Sequence, residues 1–340
     1  MILTVTLNAA WDKTYFISGL RPGGTHSVAA VRGCPGGKGV NVARVVKALG
    51  GRVLATGLAG GPTGRAIVDG LAAEGIESAF LSVGADSRTT LAVVDRAGGG
   101  VTEFREPGGP VSDEEFAAFL VHLDGLLAGV SFCVFSGSLP PGLPSDAYAQ
   151  AIRVAQGRKV LSVLDTSGPA LVAGVSARPF MIKPNAEEAV VLAQAFGLET
   201  AKHAAGQDAA GRDAGGAVPA GRDPVDRSEV ASAISLAPSL GGAAAAKLVV
   251  LTLGELGAVA YCADEFWHAA VRVEGVRNPV GSGDALAAAM VVALERGDGL
   301  KDALALGVAA GAANALTETA GQVRPEDVER LREGVEVRRL

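Results

Sequence analysis

Residues 40–83 read VNVARVVKALGGRVLATGLAGGPTGRAIVDGLAAEGIESAFLSV, and the periodicity of this segment points to one fold class. Apolar residues recur at helical spacing over 40–49 until Gly50 stops them, and a strand-like run follows over 52–57. A second helical pattern over 64–74 ends at Gly75, and 76–83 reads again as a strand. Strand and helix in strict alternation predict an α/β fold, with parallel strands joined by covering helices.

The same grammar extends in both directions. The opening MILTVTL alternates branched apolar residues with Thr as a strand does. Downstream the pattern gives helix 113–127, with Ser112 and Glu115 spaced as a capping box, then strand 132–136, helix 146–156, and strands 160–165 and 180–183. Helix 229–236, strand 248–253, a hairpin over 258–273 and apolar helices over 284–295 and 301–316 complete it. Strands end in polar clusters, and in open α/β sheets ligands sit at those carboxyl ends. Two segments stand outside the alternation: 11–20 with 26–32 around Arg21-Pro22-Gly23-Gly24, and 89–95 with 101–105 around Gly98-Gly99-Gly100. Each reads as a hairpin, and together they predict a small β lid from about 11–34 and 88–107. No repeat of fixed period is present.

With 340 residues, 49% of them apolar, the chain can bury one large core, which suits a single domain over 1–340. A formal charge of −6 provides no basic field for nucleic acid or an anionic membrane, so neither is expected as a partner. Cys34, Cys133 and Cys262 are odd in number and far apart, which argues against a disulfide framework and for a reducing cytoplasm. The N-terminus lacks a signal-peptide pattern, and apolar runs such as 285–294 fall short of the ~20 residues a membrane span needs. Residues 199–227 are rich in Ala, Gly, Asp and Arg and are expected to form a flexible surface insertion. The histidines at 26, 122, 203 and 268 show no metal-binding spacing.

Two segments carry chemistry. Asn278-Pro279-Val280-Gly281-Ser282-Gly283-Asp284 leads directly into an apolar helix. Gly281, Ser282 and Gly283 can turn their amides toward one point at a helix N-terminus, where a phosphoryl group in flight would be stabilised. Asp284 then stands in the first turn as a candidate base, its ionised form favoured by the helix dipole. Cys34-Pro35-Gly36-Gly37-Lys38-Gly39-Val40-Asn41 is not a Walker loop, because Gly39 stands where Ser or Thr would bind Mg²⁺. Its Gly pair lets a polyhydroxylated ligand approach, with Asn41 on hydroxyls and Lys38 on a charge. Each segment alone also fits an ordinary tight turn before a helix.

Together these segments resemble the PfkB family of ribokinase-like sugar kinases, over essentially the whole chain apart from 199–227. Four further segments agree in order and spacing: Thr6-Leu7-Asn8-Ala9-Ala10-Trp11-Asp12, Ser136-Gly137-Ser138-Leu139-Pro140-Pro141-Gly142, Lys183-Pro184-Asn185-Ala186-Glu187-Glu188 and Thr252-Leu253-Gly254-Glu255-Leu256-Gly257. Ser282 stands where many members have Ala. The first segment, with Gly-Gly-Lys-Gly, is similar to the phosphosugar branch, although Ala9 stands where that branch usually has Pro.

The resemblance implies a three-layer ribokinase-like fold with a mostly parallel central sheet, flanking helices and a β-sheet lid. It implies that Asp284 activates the acceptor hydroxyl, that Asp12, Gly37 and Asn41 meet the sugar, and that Lys38, Arg88 and Arg105 hold a phosphate already on it. Lys183 and Asn185 would face the triphosphate of ATP, and Glu188 with Asn185 would organise Mg²⁺ through water. Thr252, Gly254 and Gly257 would line the nucleotide, with Asn314 near its base. Asp165 and Ser138 end neighbouring strands, where they border the site or cap the chain. The implied activity is ATP-dependent phosphorylation of a ketohexose phosphate: fructose 1-phosphate first, with tagatose 6-phosphate or fructose 6-phosphate as alternatives. A non-catalytic sugar-phosphate-binding regulator and a nucleoside or vitamin kinase are the rival classes. A homodimer paired through the β lids is expected, since an isolated small sheet exposes unpaired edges.

Overall fold

The computed structural model of the chain describes residues 1–198, 227–263 and 265–340. The insertion expected at 199–227 lies, up to its last residue, outside the described residues, as does His203. Strand β1 (Ile2–Thr6) is fully buried and pairs with β4 on one side and β8 on the other. The chain then enters the lid through β2 (Ala10–Ile17) and β3 (Ala30–Gly36), returns as α1 (Lys38–Ala48), and continues through β4 (Val53–Gly60), α2 (Gly61–Ala73) and β5 (Glu77–Val83). It revisits the lid with β6 (Arg88–Asp95) and β7 (Val101–Arg105). Next come α3 (Asp113–Leu126), β8 (Phe132–Ser136), α4 (Ala147–Gly157), β9 (Leu161–Asp165), α5 (Gly168–Val175), β10 (Met181–Ile182) and α6 (Ala186–Ala195). After the undescribed segment follow α7 (Arg227–Ala244), β11 (Leu248–Thr252), β12 (Ala258–Cys262), β13 (Glu265–Ala270), α8 (Ser282–Arg296), α9 (Leu300–Ala315), α10 (Pro325–Glu333) and β14 (Glu336–Arg339).

Among the described residues the main sheet has the order β14-β13-β12-β11-β10-β9-β8-β1-β4-β5. It is parallel from β5 through β11, and antiparallel pairing adds β12, β13 and β14. Side chains alternate between two cores. Leu3, Val5, Cys133 and Phe135 pack in one core with the helices α3 to α7, whereas Ile2, Phe132 and Val134 pack in the other with α1, α8, α9 and α10. These are the three layers implied above. The sheet grows from β1 first toward β5 and then, through β8, toward β14, so the direction reverses at β1. Such a reversal opens a crevice at the carboxyl ends of the strands.

The two expected hairpins are both present but are one sheet. Strand β2 pairs with β6 in parallel along its length, giving the lid order β3-β2-β6-β7. The second strand of the first hairpin begins at Ala30 rather than at 26, because His26 is spent closing the loop onto Arg21 O at 2.9 Å. Helix α7 continues past Pro238, where the sequence pattern had read a stop at 236. Helices α5 and α10 and strand β14 were not anticipated.

Candidate active site

Two helices begin at the crevice without a side-chain cap. Gly37 precedes α1 with φ 108° and Gly281 precedes α8 with φ 85°, a left-handed turn that an L side chain resists. Both ends therefore keep amide donors and the positive end of a helix dipole unspent. The Asn278 side chain accepts from Val280 N at 3.0 Å and holds the approach to the second turn. A β-carbon on Gly283 would lie 3.1 Å from Lys183 Nζ, so that ammonium stands over the cradle.

The helices meet through Asn41 and Asp284: Asn41 Nδ2 donates to Asp284 Oδ2 at 2.9 Å, with both residues buried. Beside them, the carboxylate of Asp165 ends β9 fully buried. Lys38 Nζ stands 3.2 Å from its Oδ1 and Lys183 Nζ 3.3 Å from its Oδ2. Burial works to raise the pKa of Asp165, but the Lys183 and Lys38 ammoniums outweigh it and keep it below the usual carboxylate range. Lys38 is in turn held protonated, chiefly by Asp165. Its side chain remains 40% exposed and so can reach an incoming anion.

Asp284 corrects the sequence expectation. The helix dipole argued for an easily ionised carboxyl, yet its pKa is pushed up to about 6. Burial is the main cause and the Asp165 charge the second, against the opposing pull of Lys38, Asn41 and Lys183. A base in that range suits proton transfer near neutral pH better than an ordinary Asp does.

Lid register assembles the other expected residues. Asp12 pairs with Thr90, and Thr90 with Arg105, which places the three in one row on one face of the lid. Arg88, two residues before Thr90, shares that face. Asp12 is raised to about 6, mainly by burial, with Arg88 and Thr90 opposing. Arg88 Nε donates to Asn8 O and its Nη1 to Glu106 O, both at 3.2 Å, fixing the arginine where the lid leaves β1. Among the described residues Arg105 pairs with its lid neighbour Glu103 alone, and it is exposed. Ser138 accepts from Asn8 Nδ2 at 3.2 Å, and that amide also donates to Pro107 O at 3.0 Å. Sequence reasoning did not single out Asn8, although it lies inside a quoted motif.

On the nucleotide side, Asn185 and Thr252 are bridged at the ends of β10 and β11. Asn185 and Glu188 form a reciprocal cap on α6: Asn185 Oδ1 accepts from Glu188 N at 2.8 Å and Glu188 Oε2 accepts from Asn185 N at 3.0 Å. That leaves one Glu188 oxygen outside the cap, a donor set that fits a water-mediated Mg²⁺ and not a directly coordinated one. Gly254 opens a 3₁₀ turn beside Thr252, whereas a β-carbon on Gly257 would meet Ala269 O at 2.0 Å, so Gly257 serves the fit against β13. Asn314 also departs from expectation. It is fully buried, donating to Val280 O at 2.8 Å and to Ser282 Oγ at 3.3 Å and accepting from Gly321 N at 2.8 Å. Its polar atoms brace the cradle and leave nothing for a nucleotide base. His122 and His268 bond to Ala79 O and Leu256 O, and no cluster of three or more metal-ligating side chains occurs among the described residues.

Two uncapped helix N-termini, two lysines and the buried carboxylates of Asp284 and Asp165 gather at the crevice beneath the β lid, an arrangement that suits a phosphotransferase of the α/β class. The chain belongs to the pfkB family of carbohydrate kinases, whose profile matches residues 5–327. Among solved structures it is similar to phosphofructokinase-2 from Escherichia coli in complex with potassium, at 27% identity over 98% of each chain with a TM-score of 0.83. Other structures of that E. coli protein hold fructose-6-phosphate, or represent its tetrameric inhibited form. A possible 1-phosphofructokinase from Thermotoga maritima matches at 23% identity over 100% of this chain and 99% of that one, with a TM-score of 0.79. A ribokinase from the same organism matches at 19% identity over 98% and 99%, with a TM-score of 0.71, and makes the fold ribokinase-like.

Proposed function

We propose that this carbohydrate kinase transfers the terminal phosphoryl group of ATP to a ketohexose phosphate, converting fructose 1-phosphate to fructose 1,6-bisphosphate in the cytoplasm. The observation that carries the proposal is Asp284, tuned to about 6 and held by Asn41 beside two uncapped helix N-termini. The acceptor hydroxyl gives its proton to Asp284 as its oxygen meets the phosphorus. The amides of Gly281 and Gly283 receive the charge spreading over the equatorial oxygens, whereas Ser282 N, expected to join them, is spent on Pro279 O at 3.2 Å. Lys183 balances the charge from the side of Asp165, and so does Lys38, which pairs with Asp165 and is given this role in place of the expected one on the substrate's own phosphate. Mg²⁺, held through water by Glu188 and Asn185, would neutralise the nucleotide's phosphates.

The substrate's own phosphate is assigned to the lid. Asp12, Arg88 and Arg105 share one of its faces, and a sugar bearing a fixed charge needs cations there. Fructose 6-phosphate, the ligand of the E. coli relative, and tagatose 6-phosphate are the alternative acceptors. A coupled assay of ADP release over the three sugar phosphates decides: the highest kcat/KM is expected with fructose 1-phosphate, and equal turnover of unphosphorylated sugars would overturn the phosphosugar assignment.

The other lid face supports a homodimer. Tyr15 pairs with Val31 and Val93, on the face opposite Asp12. Val31 is 60% exposed there and Phe104, on the same face, 58%. A second copy laid against this face would cover both.

A further inference from the structure

We propose that Arg44 is a positioning residue for phosphoryl transfer, setting the orientation of the Asn41 carboxamide and through it Asp284; the inference rests on the assignment of Asp284 as the base. An asparagine presents an oxygen on one side and an NH₂ on the other, and which side faces a neighbour is fixed by its partners. Arg44 Nη1 can only donate, and it stands 3.1 Å from Asn41 Oδ1. The amide nitrogen is therefore the atom left to face Asp284, and it donates to Oδ2 at 2.9 Å. With the carboxamide reversed, its oxygen would face a carboxylate oxygen, two acceptors with no proton between them. In the observed orientation one carboxylate oxygen is pinned and Oδ1 is left to take the sugar's proton.

The guanidinium is itself held on every side. Nε and Nη2 grip the Glu74 carboxylate at 2.7 and 3.0 Å, Nη2 also donates to Pro35 O at 2.8 Å, and Nη1 to Ala320 O at 3.3 Å. The Arg44 side chain is 10% exposed. Glu74 caps the end of α2, Pro35 lies at the root of the lid and Ala320 beside Gly321, which touches Asn41. A planar fork with five donors can serve all four partners at once, and the single ammonium of lysine cannot. Arg44 therefore ties lid root, second helix and the 320 loop to the atom that aims the base.

The test is a double-mutant cycle on the full chain. Arg44→Lys is expected to lower kcat about ten- to hundredfold, the scale of a small misplacement of a catalytic group, with KM for ATP nearly unchanged. In an Asn41→Ala background the same change is expected to have no further effect on kcat. Losses that multiply, or a kcat unchanged while the melting temperature falls, would show that Arg44 only supports the fold and would overturn the inference. Should Arg44→Lys fail to fold, Glu74→Gln loosens the guanidinium from outside the site. It is expected to lower kcat severalfold in the parent and not in Asn41→Ala, and an equal effect in both backgrounds overturns the inference. Asp284→Asn, assayed alongside, separates the cases: if it keeps turnover the base assignment fails, and if it is inactive while the cycle multiplies, only the role of Arg44 fails.

Discussion

Asn41 Nδ2 lies 2.9 Å from Asp284 Oδ2, joining the first turns of two helices that the sequence separates by 243 residues. The bond holds the carboxylate between two uncapped helix N-termini.

Replacing Asp284 by Asn keeps the shape and an oxygen for Asn41 but removes the proton acceptor. Steady-state assay is expected to show a kcat loss of about 10²- to 10⁴-fold with ATP and sugar-phosphate binding preserved by calorimetry. A loss of only a few-fold would withdraw the catalytic assignment.

The raised pKa of Asp284 makes rate and stability respond oppositely to pH. Turnover requires the ionised base, so kcat is expected to fall as pH drops through about 6. For stability, the folded protein holds this proton more tightly than the unfolded chain. Between 3.8 and about 6 the native state therefore binds more protons, and stability falls as pH rises. Above that window the buried charge is a standing cost. Asp284→Asn should thus melt higher than the parent at pH 8, with the advantage shrinking at pH 5; an equal advantage at both values would remove the linkage.

Arg88 and Arg105 differ in how firmly they are held, and their substitutions should differ accordingly. Arg88→Ala is expected to raise KM for the sugar phosphate about ten- to hundredfold, the scale of one lost charge-assisted contact, while KM for ATP stays constant. Arg105→Ala should act in the same direction and less strongly, because its exposed side chain must first be ordered. Unchanged KM in both variants would favour an acceptor without a phosphate.

Self-association through the lid is checked by sedimentation velocity at micromolar concentration. The parent is expected as a dimer and Phe104→Glu as a shifted monomer–dimer equilibrium, since the charge would sit in the covered face. A monomeric parent would eliminate this interface.

The alternation over 40–83 was legible because helix and strand periods are local, and the 278–284 cradle because glycine and a helix start announce a turn. What lay hidden depends on partners brought from elsewhere. The sequence shows Asp284 in a first turn, but its burial and the repulsion from Asp165 arise only when β9 is in place beside α8. Asn314 looked like a ligand contact because helix position does not reveal that Val280 and Gly321 return to it. The parallel pairing of β2 with β6 joins segments that each already read as complete hairpins.

Strand β14 pairs with β13 and becomes one margin of the main sheet, a strand of four residues that carries the exposed charges of Glu336, Arg338 and Arg339. Without it, the longer strand containing Phe266 and Trp267 would be the edge and an easier template for polymerisation than a short strand bearing charge. The kinase thus carries, in four residues remote from its chemistry, its own guard against forming aggregates.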